Sequence, residues 1–100
     1  MTKIQFFYKA QSFLKRVIRS RKAIIAKHVG HRSEEASMQE IRNMEYALEM
    51  IKDAATMRKY IHRKKVEIRL LIPARHQAWF NELEDLLDYD PAEMKLEFNL

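Results

Sequence analysis

Histidines, and one short group of acidic and basic residues, are the side chains of this chain that could perform metal or catalytic chemistry. His28 and His31 stand three residues apart, which is close to the spacing of a metal pair on a helix, but Gly30 would break such a helix between them. Glu93 and Lys95 could help to hold magnesium, yet their distance from the preceding aspartates is too short for a two-strand site. The chain also has no cysteine and only one glycine, so it contains neither a thiol nucleophile nor a glycine-rich phosphate loop. We therefore expect no enzyme, no metal site and no cofactor.

Phosphate binding is the chemistry that the basic residues indicate. Lys15, Arg19 and Lys22 follow one another at i, i+4 and i+7, so a helix would align them along one side. In a second segment, RKYIHRKKVEIR at 58–69, Tyr60 and His62 lie among cations and could stack on unpaired bases, as aromatic residues do in proteins that bind RNA or single strands. The residues that we expect to contact nucleic acid are Lys9, Lys15, Arg16, Arg19, Lys22, Lys27, Arg58, Lys59, Arg63, Lys64 and Lys65.

The charges are segregated along the chain, and their distribution leaves two interpretations open. Residues 1–32 contain nine lysines and arginines and no acid, whereas solvated helix faces usually mix both signs. This imbalance favours binding to a polyanion. Alternatively, the cations pair within the fold or with a partner, because Glu45, Glu49 and Asp53 recur at i+4 and such an acidic spine usually has compensating charges nearby.

Composition is typical of one folded domain. The 100 residues are 47% apolar and 33% charged, with a net charge of +5. Cations interrupt the apolar start IQFFY and no small-residue cleavage site follows, so we expect no signal peptide. The uncharged stretches are too short to span a membrane, and the lack of cysteine fits a reducing compartment, so we expect a cytoplasmic protein without membrane contact.

Two long helices should position the cations. The periodicity predicts a first helix over about residues 3–28, with its apolar side chains inside an arc of roughly 140° and Gly30 as its C-cap. Ser33 is a suitable N-cap for a second helix that would run to about Arg63. The apolar arc of that helix is roughly 220° wide, so it needs two partners, and the second could be another copy of the protein. The expected homodimer interface is Tyr46, Met50, Met57 and Tyr60.

The rest of the sequence predicts an α+β fold. From Lys65 to Ile72 apolar and polar residues alternate, which indicates a strand with one buried face. A third helix should cover about 74–88, with Pro73 at its start, and residues 93–100 alternate again as a final strand. We expect residues 1–100 to form a single domain, in which a helical hairpin (1–64) carries a strand–helix–strand unit (65–100).

Residues 66–87, VEIRLLIPARHQAWFNELEDLL, resemble the opening of ribbon-helix-helix repressors, whose paired strands read the major groove. The resemblance covers less than a quarter of the chain and would make Glu67 and Arg69 the residues that face the bases. An acidic residue is unsuited to that position, and the family continues into a second helix where this chain alternates as a strand. Our fold prediction therefore does not use the resemblance.

The function predicted from the sequence is non-enzymatic binding of nucleic acid, largely tolerant of sequence, with RNA or single strands slightly favoured. No set of side chains for reading base edges is visible, so phosphate contacts would supply most of the affinity. The alternative is a small adaptor or inhibitor that docks on a macromolecular partner through its segregated charges, including the acidic stretch 82–97.

Overall fold

The computed structural model describes residues 1–27 and 32–90, and in these residues the chain forms five helices and no strand. The helices are α1 (Lys3–Ala26), α2 (Arg32–Met50), α3 (Ala54–Arg63), α4 (Lys65–Leu71) and α5 (Gln77–Asp88). The predicted α+β class is therefore wrong for the described part of the chain. The predicted strand over 93–100, His28, His31 and the Gly30 cap lie outside the described residues.

Helix α1 confirms the prediction of a long amphipathic N-terminal helix. It begins with a capping box, in which the Gln5 backbone N–H donates to Thr2 Oγ1 (3.1 Å) and the Thr2 backbone N–H donates to Gln5 Oε1 (2.9 Å). Its six buried residues are Phe6, Ala10, Phe13, Leu14, Val17 and Ile18. This apolar side packs against all four other helices, so α1 is the centre of the fold.

The single helix predicted over 34–63 is divided into α2 and α3. Residues 51–53 interrupt it, and Asp53 caps α3 by accepting hydrogen bonds from the Thr56 backbone N–H and from Thr56 Oγ1, both 2.8 Å long. A short carboxylate side chain competes with the helical backbone in this way, which the apolar periodicity does not reveal. The break also explains the wide apolar arc, because Met44 of α2 and Met57 of α3 both become buried in one core. The second partner that we inferred for this helix is not needed to bury Met57.

The strand predicted from Lys65 is helix α4. Alternation would bury Ile68, Leu70 and Ile72 and expose Leu71, but the structure buries Ile68, Leu71 and Ile72 and leaves Leu70 71% exposed. Positions 68, 71 and 72 are i, i+3 and i+4, so the same few residues fit a helical period. This helix removes the strand that the resemblance to ribbon-helix-helix repressors requires. Pro73 lies in the turn before α5, whose first residue is Gln77 rather than residue 74.

The predicted sheet on the second helix is replaced by helices packed around α1. The core joins residues from every helix, including Ile41, Ile61, Ile68 and Leu83. After α5 the chain returns to the start of α1, where the Tyr89 ring stacks on the Phe6 ring with centroids 4.0 Å apart. None of the helices in the described residues is long and apolar enough to cross a membrane.

Candidate nucleic-acid interface

The first candidate surface is the outward side of α1, which we call the α1 ridge and define by Lys15, Arg19 and Lys22. All three are exposed, as are Lys9, which precedes them in α1, and Lys27, which directly follows the helix. The ridge exists because the apolar residues of α1 recur on the opposite side and turn the cations outward. Its geometry therefore agrees with the spacing that the sequence predicted.

Acidic residues of α2 line one side of the α1 ridge. An open groove between the two helices contains all three ridge cations together with Glu45 and Glu49. Lys22 Nζ lies 2.9 Å from Glu45 Oε2, and both side chains are more than 40% exposed. The internal charge pairing that the sequence left open is thus present at one ridge residue, although such an exposed pair is screened by water and salt.

Arg16, which directly follows Lys15 in α1, is bound by a carboxylate of helix α5. Its Nη1 and Nη2 atoms donate to Oε1 (3.2 Å) and Oε2 (2.5 Å) of Glu82. This hydrogen-bonded carboxylate raises the pKa of Arg16, an effect that partial burial opposes. The guanidinium carbon also lies 5.7 Å from the ring centroids of Phe13 and Trp79, and the His76 ring stacks on Trp79. Arg16 is held by this bidentate pair and has less freedom than the ridge to reach a phosphate.

The second candidate surface is the outward side of α3 and the start of α4, which we call the α3 face and define by Lys59, Arg63 and Lys65. These three side chains are exposed, and none has a carboxylate within 4.0 Å among the described residues. Residues 54–66 contain no acid at all. The nearest acids along the chain are Asp53, whose charge interacts with Lys59, and Glu67. The α3 face is therefore a cationic surface with acids at its ends that form no ion pair with it.

Two other cations of the second segment point inward and have structural partners. Arg58 Nε donates to the backbone carbonyl of Tyr89 (3.2 Å), which ties α3 to the end of α5. Lys64 Nζ lies 3.3 Å from Glu40 Oε1 of α2, and both side chains are more than 70% buried. We therefore assign Arg58 and Lys64 to packing between helices rather than to the exposed surface.

The structure does not bring the α1 ridge and the α3 face together. Helices α1 and α3 are in contact through the core, where Phe13 and Met57 are both buried. Each helix turns its polar side away from this contact. Eight of the eleven predicted residues are exposed and belong to two separate segments, and the other three, Arg16, Arg58 and Lys64, have partners within the fold.

The four residues predicted for a homodimer interface also separate into two groups. Tyr46 and Met50 are 65% and 63% exposed, whereas Met57 and Tyr60 are 0% and 5% exposed and belong to the core of one chain. Burial and the negative charge of Glu40 raise the pKa of Tyr60 to about 12. The Tyr60 ring is covered on one side by Arg63, whose guanidinium carbon lies 5.7 Å from its centroid. Tyr60 is therefore not placed to stack on a base.

Sequence reasoning missed the partners that come from distant parts of the chain. Glu82 is 66 residues from Arg16, and no local spacing connects them. Arg21, the one cation inside the apolar arc of α1, has its Nη2 atom 3.5 Å from the carbonyl oxygen of Leu70, at the C-terminal end of α4. A cation there is favourable because the carbonyl end of a helix carries partial negative charge. Its position on the helical wheel predicts that Arg21 either extends to solvent or meets a buried carboxylate, whereas the partner in the structure is a backbone carbonyl.

Comparison with known proteins adds no relative: no family model, no curated protein and no solved structure matches this chain.

Proposed function

We propose that this protein binds nucleic acid without catalysis, through phosphate contacts that tolerate different sequences, and that the α3 face is its main contact surface. The observation that carries the proposal is the exposure of Lys59, Arg63 and Lys65 with no carboxylate within 4.0 Å among the described residues. Cations that are not paired with carboxylates can release the counterions of a phosphate backbone, which is the main source of sequence-independent affinity.

The α1 ridge has a secondary part in this proposal. Glu45 and Glu49 border it, and a polyanion approaching Lys15 or Arg19 would meet their repulsion. The net charge of +5 still attracts nucleic acid to the whole molecule, and the ridge would add to that general attraction.

The proposal names the phosphate backbone and does not depend on base stacking. Tyr60, one of the aromatic residues that favoured unpaired bases, is 5% exposed and lies in the core. RNA, DNA, single strands and duplexes are therefore compared directly in the experiment. A cytoplasmic location belongs to the proposal because a chain without cysteine suits a reducing compartment.

The test is a fluorescence-anisotropy titration with labelled single- and double-stranded RNA and DNA at several salt concentrations. The key variant is Lys59→Glu/Arg63→Glu, and Lys15→Glu/Arg19→Glu is its matched control, since both pairs are exposed, four residues apart and change the net charge equally. We expect the α3 variant to lose about 30-fold in affinity and to lower the slope of log K against log salt by about 2. The control should lose less than about tenfold in affinity, because it reduces only the general electrostatic attraction of the whole molecule.

Equal losses in both variants would show that net charge, and not the α3 face, determines binding. Absence of binding to any probe at low salt would remove the proposal altogether. Circular dichroism of each variant checks that the helices remain, which we expect because all four side chains are exposed.

A second candidate function is a protein-interaction module, and exposed apolar pairs favour it. Ile4 with Tyr8, Tyr46 with Met50, and Val66 with Leu70 each lie four residues apart and are all at least 58% exposed. A partner that is retained by the wild type and by Lys59→Glu/Arg63→Glu, but is lost on Glu84→Lys/Asp88→Lys, would support docking through the acidic side of α5. Loss of that partner on the α3 substitutions alone would speak against it.

A further inference from the structure

The outward side of α2 is a strip of six exposed residues over three helical turns. At 100° per residue, Tyr46 lies nearly opposite the mean direction of the three buried core residues of this helix, Ile41, Met44 and Leu48. Tyr46 and Met50 are 65% and 63% exposed, so two large apolar side chains face solvent here. The strip consists of Gln39, Arg42, Asn43, Tyr46, Glu49 and Met50.

The two flanks of this strip differ in chemistry. Arg42 and Glu49 are seven residues apart, about two helical turns, and lie on one side of Tyr46. Asn43 and Met50 have the same spacing and lie on the other side. Neither Arg42 nor Glu49 makes an ion pair with another described residue, although Glu49 also borders the groove beside the α1 ridge. One flank thus presents opposite charges in a fixed order along the helix.

We propose that a second copy of this chain docks on the strip, with the two α2 helices antiparallel about a two-fold axis at Tyr46. Such an axis is perpendicular to the plane of the two helices, so each flank lies beside the same flank of the other copy. Arg42 is about 6 Å from Tyr46 along the helix and Glu49 about 4.5 Å in the other direction. Each Arg42 therefore comes within about 1.5 Å, along the axis, of the level of Glu49 in the second copy.

The remaining residues complete a self-complementary surface. The two Tyr46 rings meet at the axis, and each Met50 lies near the level of Asn43 of the second copy. Aromatic and methionine residues at the centre with charged residues at the rim are the usual composition of protein interfaces. The symmetry doubles the charge complementarity, because each dimer contains two Arg42–Glu49 pairs.

The exposed apolar pair on α4 does not have this complementarity, which makes it a suitable comparison. Val66 and Leu70 are 58% and 71% exposed, but the neighbouring Arg69 is already paired with Glu84 of α5. Lys65 and Glu67 lie about 200° apart around the helix, on opposite flanks of this pair, so a two-fold axis would place each beside the same residue of the second copy. Exposure of apolar residues alone therefore does not select the surface, and the order of the charges does.

The size of the strip predicts a weak association. Three helical turns of one helix cover less than the roughly 800 Å² per partner that stable complexes bury. The dimer should accordingly depend on concentration and weaken with salt, as expected for charged residues at the rim.

The test is sedimentation equilibrium of the purified chain without nucleic acid, from about 10 μM to about 1 mM, at low and high salt. We expect the mass to rise from 12.1 kDa towards twice that value. Arg42→Glu and Glu49→Arg should each weaken association by about tenfold, since each turns two attractive contacts into repulsive ones. The combined variant Arg42→Glu/Glu49→Arg restores both pairs and should return association to within about threefold of the wild type.

Leu70→Asp is the matched control for Tyr46→Asp, because both replace an exposed apolar side chain by a carboxylate. Only Tyr46→Asp should abolish association. A chain that stays monomeric at every concentration, or a combined variant that fails to recover, would overturn the dimer. Because no nucleic acid is present, this outcome is separate from that of the anisotropy titration.

Discussion

Helix α1 and the α3–α4 segment carry similar runs of lysine and arginine, and the fold gives the two runs different surroundings. On α1, Lys22 is paired with Glu45 and Arg16 with Glu82, so acidic residues from two other helices flank the cations. On the α3 face, Lys59 and Arg63 are exposed and no carboxylate lies within 4.0 Å among the described residues. Two cations of each run are paired with carboxylates, since Lys64 and Arg69 also have such partners. Only on α1 does the pairing include a residue of the exposed candidate surface, Lys22.

This difference shows that a charge run does not define an electrostatic surface. The potential near a cation depends on every charge within about a Debye length, roughly 8–10 Å, and most of those belong to other parts of the chain. The two segments also differ in length. The 24 residues of α1 repeat the helical period for more than six turns. The seven residues of α4 are too few to distinguish the helical period from the two-residue period of a strand.

The largest effect that we expect concerns the helical state of α4. Leu71→Ala should lower the free energy of unfolding by about 2–5 kcal/mol, because Leu71 is 4% exposed and its removal leaves a cavity. Leu70→Ala should change it by less than about 0.5 kcal/mol, since Leu70 is 71% exposed. Urea unfolding of both variants measures the difference. A strand with alternating burial would reverse the order, and that result would contradict the helix.

An intermediate effect should follow from removing the acids beside the α1 ridge. Glu45→Gln/Glu49→Gln should raise the affinity for nucleic acid by roughly three- to tenfold, because two repulsive charges near the ridge are lost. The anisotropy titration at low salt measures this gain. In a Lys15→Ala/Arg19→Ala background the gain should shrink towards zero, since the ridge that benefits is no longer there. An undiminished gain would mean that net charge alone is responsible.

The smallest effect that we expect concerns the free energy of unfolding contributed by the N-caps of α1 and α3. Hydrogen bonds from the Thr56 backbone N–H and hydroxyl lower the pKa of Asp53 below its usual range. A folded-state pKa that is lowered stabilises the fold above the unfolded pKa of about 3.9, and this contribution is lost as the pH falls through the folded value. We expect the stability difference between the wild type and Asp53→Asn to be constant above about pH 5 and to decline below it.

The cap of α1 provides the control for that comparison, because Thr2 does not titrate. Thr2→Ala should lower the free energy of unfolding by about 1 kcal/mol at neutral and at acidic pH alike. Urea unfolding at about pH 7 and about pH 3 tests both caps. A Thr2→Ala difference that varied with pH would indicate that other carboxylates, and not the Asp53 cap, dominate the acid response.

The sequence by itself determined α1, its buried side and its exposed cations, because a long amphipathic helix repeats its period often enough to exclude a strand. It also predicted a helix over most of α5 and helical structure for much of 34–63. The break at 51–53 was missed because the capping hydrogen bond of Asp53 depends on the local backbone geometry, which an apolar pattern does not encode.

Only the tertiary structure decided the state of α4, the core positions of Met57 and Tyr60, and which cations of each run remain exposed. In a segment as short as α4, local propensity is weak, and burial of Leu71 against the rest of the core selects the helix. The pairing of Arg16 with Glu82 across 66 residues has the same origin. Contacts between residues far apart in sequence depend on how the helices pack, and that packing determines which cations remain available to a partner.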